Sequence, residues 1–287
     1  MNTEQTDETD DADETDATAG TVPWRDLLAE ATQRLTTAES PDPEVSARRI
    51  VEEASGFEGA DLFPNLDELV TVRGMARFDA MIARRLDGEP LQYVLGRWAF
   101  RTLDLAVDRR VLIPRPETEE VTGWALEEFD RVTDLAAAGG APEVRVVDLG
   151  TGSGAIGLSF LAERRNAQVW LTDRSADALA VARANLAGLG RHGSRGRLVE
   201  GSWFEALPAE LAGGLDLVVS NPPYVAPDDE LPAEVRDWEP SSALVAADAG
   251  LADLRVLVAE APRWLTAEGA LVVELAPVQA EQVADEA

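Results

Sequence analysis

After Gly139-Gly140 the chain settles into a regular alternation, and this alternation limits its fold more than any other feature. Short Val- and Leu-rich runs at 144–149, 168–173, 197–200, 215–220 and 270–275 alternate with helical patterns at 154–164, 176–189 and 251–264. A predominantly apolar run of this length suits a strand covered on both faces, and parallel neighbours need a helix to cross between them. The expected fold is therefore α/β, a mostly parallel, doubly wound sheet.

The run Val146-Val147-Asp148-Leu149-Gly150-Thr151-Gly152-Ser153-Gly154 ends the first of these strands and enters a helix. Its glycines allow a tight turn and a close ligand approach, and the helix N-terminus adds donors. Two ligands are compatible with it. Gly152-Ser153-Gly154-Ala155-Ile156-Gly157 fits the dinucleotide fingerprint. Asp148 stands just ahead of the glycines, where a carboxylate is awkward for pyrophosphate but favours the sulfonium and amino group of S-adenosylmethionine. Asp173 ends the second strand, the place for a carboxylate that binds ribose hydroxyls, which both cofactors carry. Trp203 follows the third strand and is placed either to stack on adenine or to fill the core.

Asn221-Pro222-Pro223-Tyr224 follows the apolar run Leu215-Asp216-Leu217-Val218-Val219-Ser220. Two prolines cannot donate ladder hydrogen bonds, so the strand stops and a polar Asn is held at the sheet's C-terminal edge. That edge is where open α/β sheets bind ligands. Asn221 and the Pro222 carbonyl are candidate acceptors for both N–H groups of a planar NH₂, with Tyr224 packing on its face. With S-adenosylmethionine as donor, the motif suits a glutamine amide, adenine N6 or guanine N2 and does not choose among them. The chain has no Cys and a single His, His192, and its 25 basic residues are all Arg. Thiol nucleophiles, Lys Schiff bases and His-based metal sites are thereby excluded, and a substrate nitrogen must be activated by positioning rather than by a strong base.

The net charge of −29 argues against a large nucleic-acid footprint. Residues 1–20 are acidic with no basic residue and read as a disordered tail rather than a secretory signal. No apolar run is long enough to span a membrane, and a cytoplasmic protein is expected. Residues 21–87 read as a small domain of four helices, the third at 66–70 and the fourth at 75–86, and residues 88–113 as a β-hairpin linker with 93–96 and 111–113 extended. The remainder, 114–287, forms the main domain.

Several stretches together resemble the bacterial peptide-chain release factor N5-glutamine methyltransferases. They are Gly88-Glu89-Pro90-Leu91-Gln92-Tyr93-Val94-Leu95-Gly96, Ile113-Pro114-Arg115-Pro116-Glu117-Thr118-Glu119, Asp148 to Gly154, Asn221 to Tyr224, Glu239-Pro240, Ala243-Leu244 and Gly250-Leu251. The resemblance implies a class I S-adenosylmethionine-dependent methyltransferase fold behind a helical substrate-docking domain. It implies methylation of the glutamine of the Gly-Gly-Gln loop in class 1 release factors. It assigns Gly150, Thr151, Gly152, Ser153, Gly154, Asp173, Trp203 and Asn221 to the cofactor, and Asn221, Pro222, Pro223 and Tyr224 to the substrate glutamine. A related enzyme acting on ribosomal protein L3 shares the Asn-Pro-Pro-Tyr loop, as do DNA and RNA amino-methyltransferases. Ser202 stands where the family usually has Asp, and the chain stops at Ala287, where the family adds a final antiparallel hairpin. That hairpin is expected to be missing, leaving the strand at 270–275 as an exposed edge.

Overall fold

The computed structural model of the chain describes residues 22–139 and 143–286, so the acidic segment 1–20 lies outside the described residues. The chain divides into two compact units between Leu91 and Gln92.

The first unit is helical: α1 (Trp24–Thr37), α2 (Pro43–Ser55) and α3 (Val72–Leu86). Each buries one stripe at helical spacing, with Leu27, Ala31 and Leu35 on α1, Ala47, Ile50 and Ala54 on α2, and Phe78 and Ile82 on α3. The helix expected at 66–70 does not form. Leu69 instead makes an antiparallel bridge to Pro23, and Thr71 caps α3 by accepting from Gly74 N. A segment this short between Pro64 and a committed N-cap cannot sustain its own helix.

A one-turn helix, α4 (Leu91–Leu95), lies where the chain passes between units, in place of the extended stretch expected at 93–96. Tyr93 is buried and its hydroxyl donates to the Val111 carbonyl, a tertiary contact that overrides its β propensity. An antiparallel hairpin follows, β1 (Arg97–Phe100) with β2 (Leu103–Ala106). Residues 111–113 form no strand. Their last N–H, on Ile113, donates to the Glu239 carboxylate rather than to a neighbouring backbone.

The rest of the second unit runs α5 (Pro116–Gly139), β3 (Val144–Leu149), α6 (Ala155–Glu163), β4 (Ala167–Asp173), α7 (Ala176–Gly188), β5 (Gly196–Glu200), β6 (Leu215–Ser220), α8 (Ala233–Trp238), α9 (Ala252–Trp264), β7 (Leu265–Val273) and α10 (Ala280–Glu286). The strands lie in the order β5-β4-β3-β6-β7, all parallel. Alternate residues of each strand feed two cores. Val146, Val169, Leu171, Leu217 and Val219 join Phe129, Phe160 and Val181 on one face. Val147, Leu149, Trp170 and Val218 join Leu257, Ala261 and Trp264 on the other. This is the doubly wound α/β fold expected from the alternation. β7 ends at Val273, so Glu274 falls just beyond it, with its N–H still donating to the Ser220 carbonyl at 3.0 Å. No helix among the described residues is long and apolar enough to cross a membrane.

Candidate active site

Chain order reverses between β3 and β6, whose last residues, Leu149 and Ser220, are register partners. The Ser220 hydroxyl donates to the Leu149 carbonyl at 2.7 Å and ties the two strand ends together. A cavity of about 140 Å³ opens at this switch point, where a doubly wound sheet leaves a crevice. Gly150, Thr151 and Ser153 line it from the β3–α6 loop, Asp173 from the end of β4, Trp203 from the turn after β5, and Asn221 and Pro223 from the end of β6. Strand ends 71 residues apart in sequence thus meet at one mouth.

The loop conformation depends on glycine. Gly154, the N-cap of α6, has φ +90°, a region that L side chains rarely adopt. Trp203 holds a left-handed backbone (φ +44°) without being glycine, with its indole N–H donating to Asp253 at 3.2 Å. Such strain persists only where the surroundings over-determine it, and it clusters at ligand sites.

Asp148 does not line the cavity. It is buried beneath the loop, where one carboxylate oxygen, Oδ2, accepts from the Thr151 hydroxyl and from Gly157 N, the latter at 2.9 Å. Its other oxygen is buried without a partner, and burial pushes its pKa up to about 6. The carboxylate expected to meet a cationic ligand directly therefore shapes the loop instead. Asp173 is the acid that faces the cavity. Its Oδ2 accepts from Gly152 N and its Oδ1 from Ser175 N, each at 2.9 Å. A carboxylate has about four acceptor sites, so two remain for ligand hydroxyls.

These bonds discriminate between the two cofactors considered. A pyrophosphate needs free backbone donors at the helix N-terminus. Here Gly152 N is taken by Asp173, Gly154 N by the Thr151 carbonyl and Gly157 N by Asp148. The loop has spent these donors on its own acceptors, two of them carboxylates. Such a donor set fits a phosphate-free, positively charged cofactor with ribose hydroxyls, as S-adenosylmethionine is, and disfavours a dinucleotide.

Of the other residues expected at the site, Gly152 and Gly154 support the loop without lining the cavity. Pro222 is buried, and Tyr224 is half-buried with its hydroxyl donating to Glu274 Oε1 at 3.2 Å. Asn221 Nδ2 donates to Thr118 Oγ1 at 3.1 Å. Burial, followed by the neighbouring Glu274 carboxylate, pushes the Tyr224 phenol up to about 12. His192 lies on the turn Gly190–Arg195, away from the cavity lining.

Three contributors have no role in the residue-by-residue reading of the sequence. Thr118 holds Asn221. Glu239 accepts from Ile113 N and pairs with Arg115, joining the Pro114-Arg115-Pro116 stretch to the segment before the short 3-10 turn Ser241–Ala243. Glu274 stands behind Tyr224. The available signal for Glu274 is a single acid closing the apolar run Leu271-Val272-Val273.

The PrmC N-terminal domain family matches residues 26–96, and the methyltransferase small domain family matches residues 126–236. A protein of Nitratidesulfovibrio vulgaris named release factor glutamine methyltransferase is 40% identical over 262 residues, 90% of this chain and 84% of the relative. Proteins of the same name from Deinococcus radiodurans (41% identical; 91% of this chain, 89% of the relative) and Streptomyces coelicolor (39%; 89% and 86%) match similarly. Among solved structures, a methyltransferase from Pyrococcus furiosus matches at 18% identity over 71% of this chain and 83% of that chain, with a TM-score of 0.44.

Proposed function

The chain belongs to the release factor glutamine methyltransferase family, and on that premise we propose that its Asn221 cavity holds the side-chain amide of a release-factor glutamine for N5-methylation. The enzyme is an S-adenosylmethionine-dependent protein-glutamine methyltransferase, and the cofactor supplies, when bound, an electrophilic methyl group on a sulfonium. Asp173 would take the ribose hydroxyls, Trp203 would pack against the adenine, and Gly150, Thr151 and Ser153 would hold the remainder in the loop.

The observation that carries the substrate assignment is Asn221, at the switch point and in the cavity wall, with its NH₂ already engaged by Thr118. An amide nitrogen is a poor nucleophile because its lone pair is delocalised. Two acceptors, Asn221 Oδ1 and the Pro222 carbonyl, would fix both N–H bonds of the substrate and support the positive charge that develops on nitrogen. The substrate is the glutamine of the Gly-Gly-Gln loop of class 1 release factors, met in the cytoplasm and without direct nucleic-acid contact. The helical unit is read as the docking element; Phe63, Val72, Val45 and Leu69 all expose large apolar side chains on it.

The test presents the purified chain and S-adenosylmethionine with release factor, ribosomal protein L3 and nucleic acid side by side. A mass increment of one methylene on the release-factor glutamine alone is expected. Transfer to L3 or to nucleic acid in preference to release factor would refute the reading.

A further inference from the structure

We infer that Glu274 is a positioning residue for the methyl transfer: its buried carboxylate holds Thr118, Asn221 and Tyr224 so that Asn221 presents its oxygen, not its NH₂, to the substrate. The inference rests on the functional reading above.

An asparagine side chain has two similar faces, one accepting and one donating. Flipped, Asn221 would set its own NH₂ against the NH₂ of a substrate amide, donor against donor. Something in the fold must therefore fix the amide. Thr118 accepts from Asn221 Nδ2 at 3.1 Å, but a hydroxyl can accept or donate with equal ease, so Thr118 alone does not select the orientation. An ionised carboxylate can only accept, and it polarises every neighbouring hydroxyl and amide proton toward itself.

Glu274 occupies that place. Its N–H donates to the Ser220 carbonyl at 3.0 Å, which anchors it beside the residue that precedes Asn221. Tyr224, from the same loop, donates to Oε1 at 3.2 Å. Glu274 is 5% exposed, and Oε2 is buried without a hydrogen-bond partner. Thr118 and Asn221, bonded to each other at 3.1 Å, stand near enough to the carboxyl to favour its charged form. Thr118 is itself buried and belongs to the Pro116-Glu117-Thr118-Glu119 start of α5. The carboxyl thus stands where the α5 start and the Asn221–Tyr224 loop meet.

A buried acid is costly, and an apolar residue would have continued the run Leu271-Val272-Val273 without that cost. Burial first, and then the Glu117 charge, raise the Glu274 pKa, while the donors Thr118, Tyr224 and Asn221 oppose them. Arg115 acts on the Tyr224 phenol, lowering its pKa against the effect of burial and Glu274. A carboxylate kept at such cost, with donors from both elements of the site, fits a role in orientation. Glu274 does not line the cavity, so it acts through Asn221 and not on the substrate.

The test labels asparagine side chains with nitrogen-15; the chain has five, and Asn221→Ala identifies the relevant NH₂ signal. In the wild-type protein that signal should move as acid protonates Glu274, whose titration burial raises above the usual carboxylate range. In Glu274→Gln the movement should vanish. In the same variant kcat should fall about tenfold or more, from misorientation alone, with cofactor Kd within about twofold of wild type. Thr118→Val, which removes the hydroxyl that accepts from Asn221, should show the same split between kcat and Kd. An Asn221 signal indifferent to pH in the wild type overturns the inference without any variant. So does an unchanged kcat in Glu274→Gln, or a loss of kcat that tracks lost cofactor affinity. If the wild-type protein leaves release factor unmethylated, the functional reading fails instead, and the Asn221 signal still decides the role of Glu274.

Discussion

Asp148→Asn should gain stability relative to wild type as pH rises. Oδ2 of Asp148 accepts both bonds from the loop, while Oδ1 is buried without a partner. An Asn oxygen can take the Oδ2 position and keep both bonds, and its NH₂ replaces the orphaned oxygen. What is removed is a buried charge. Burial raises the Asp148 carboxyl from 3.8 to about 6. The native fold therefore binds this proton more tightly than the unfolded chain does. The associated stability is complete below the unfolded value and is lost as pH rises through about 6. At about 1.4 kcal/mol per pKa unit, the full loss is about 3 kcal/mol. About half of it, ~1.5 kcal/mol, falls between pH 5 and pH 8, a range that avoids the isoelectric point near 4.2. Urea unfolding of both proteins across that range measures the difference directly. The advantage of Asp148→Asn over wild type should widen by ~1.5 kcal/mol from pH 5 to pH 8. A constant difference, or one that widens toward acid, would refute the burial argument.

Gly250 has φ +83°, and a Cβ there would overlap the Tyr224 carbonyl oxygen. Gly250→Ala should cost about 2 kcal/mol or more and lower kcat while sparing cofactor Kd, as read by urea unfolding and calorimetry. Arg115→Ala leaves the buried Glu239 carboxylate without its ion-pair partner and should destabilise by on the order of 3 kcal/mol, with Glu239→Gln in the same background recovering much of the loss. Trp203→Ala should weaken cofactor binding by about 1 kcal/mol of aromatic stacking, with kcat at saturating cofactor little changed; an unchanged Kd would remove Trp203 from the adenine site.

The sheet was readable from single stretches because each central strand is covered on both faces. Val144 to Leu149 needs no partner to announce itself as a buried strand. The loop glycines and the two prolines after Asn221 were readable for the same local reason: they act through their own backbone. Tyr93-Val94-Leu95 reads as extended on residue type, yet Tyr93 is buried in a helical turn by a bond to Val111, 18 positions away. Asp148 was legible as a carboxylate at the right strand end but not as one turned under the loop, since its Gly157 partner enters only with the turn of α6. Thr118 and Glu274 were hidden more deeply. Thr118 lies 103 positions from Asn221, and Glu274 lies 50 from Tyr224. No local pattern reports a partner brought in by the sheet.

The proposed role of Asn221, the acceptor that orients a glutamine amide, has a direct test. The decisive measurement is the single-turnover rate of Asn221→Ala at saturating S-adenosylmethionine, with release factor as substrate and the methyl group located by fragment mass. The wild-type protein should place the methyl on the glutamine side-chain nitrogen, and the variant should do so about a hundredfold more slowly with cofactor Kd nearly unchanged. An equal rate in the variant, or a methyl group found on any other atom, would contradict it.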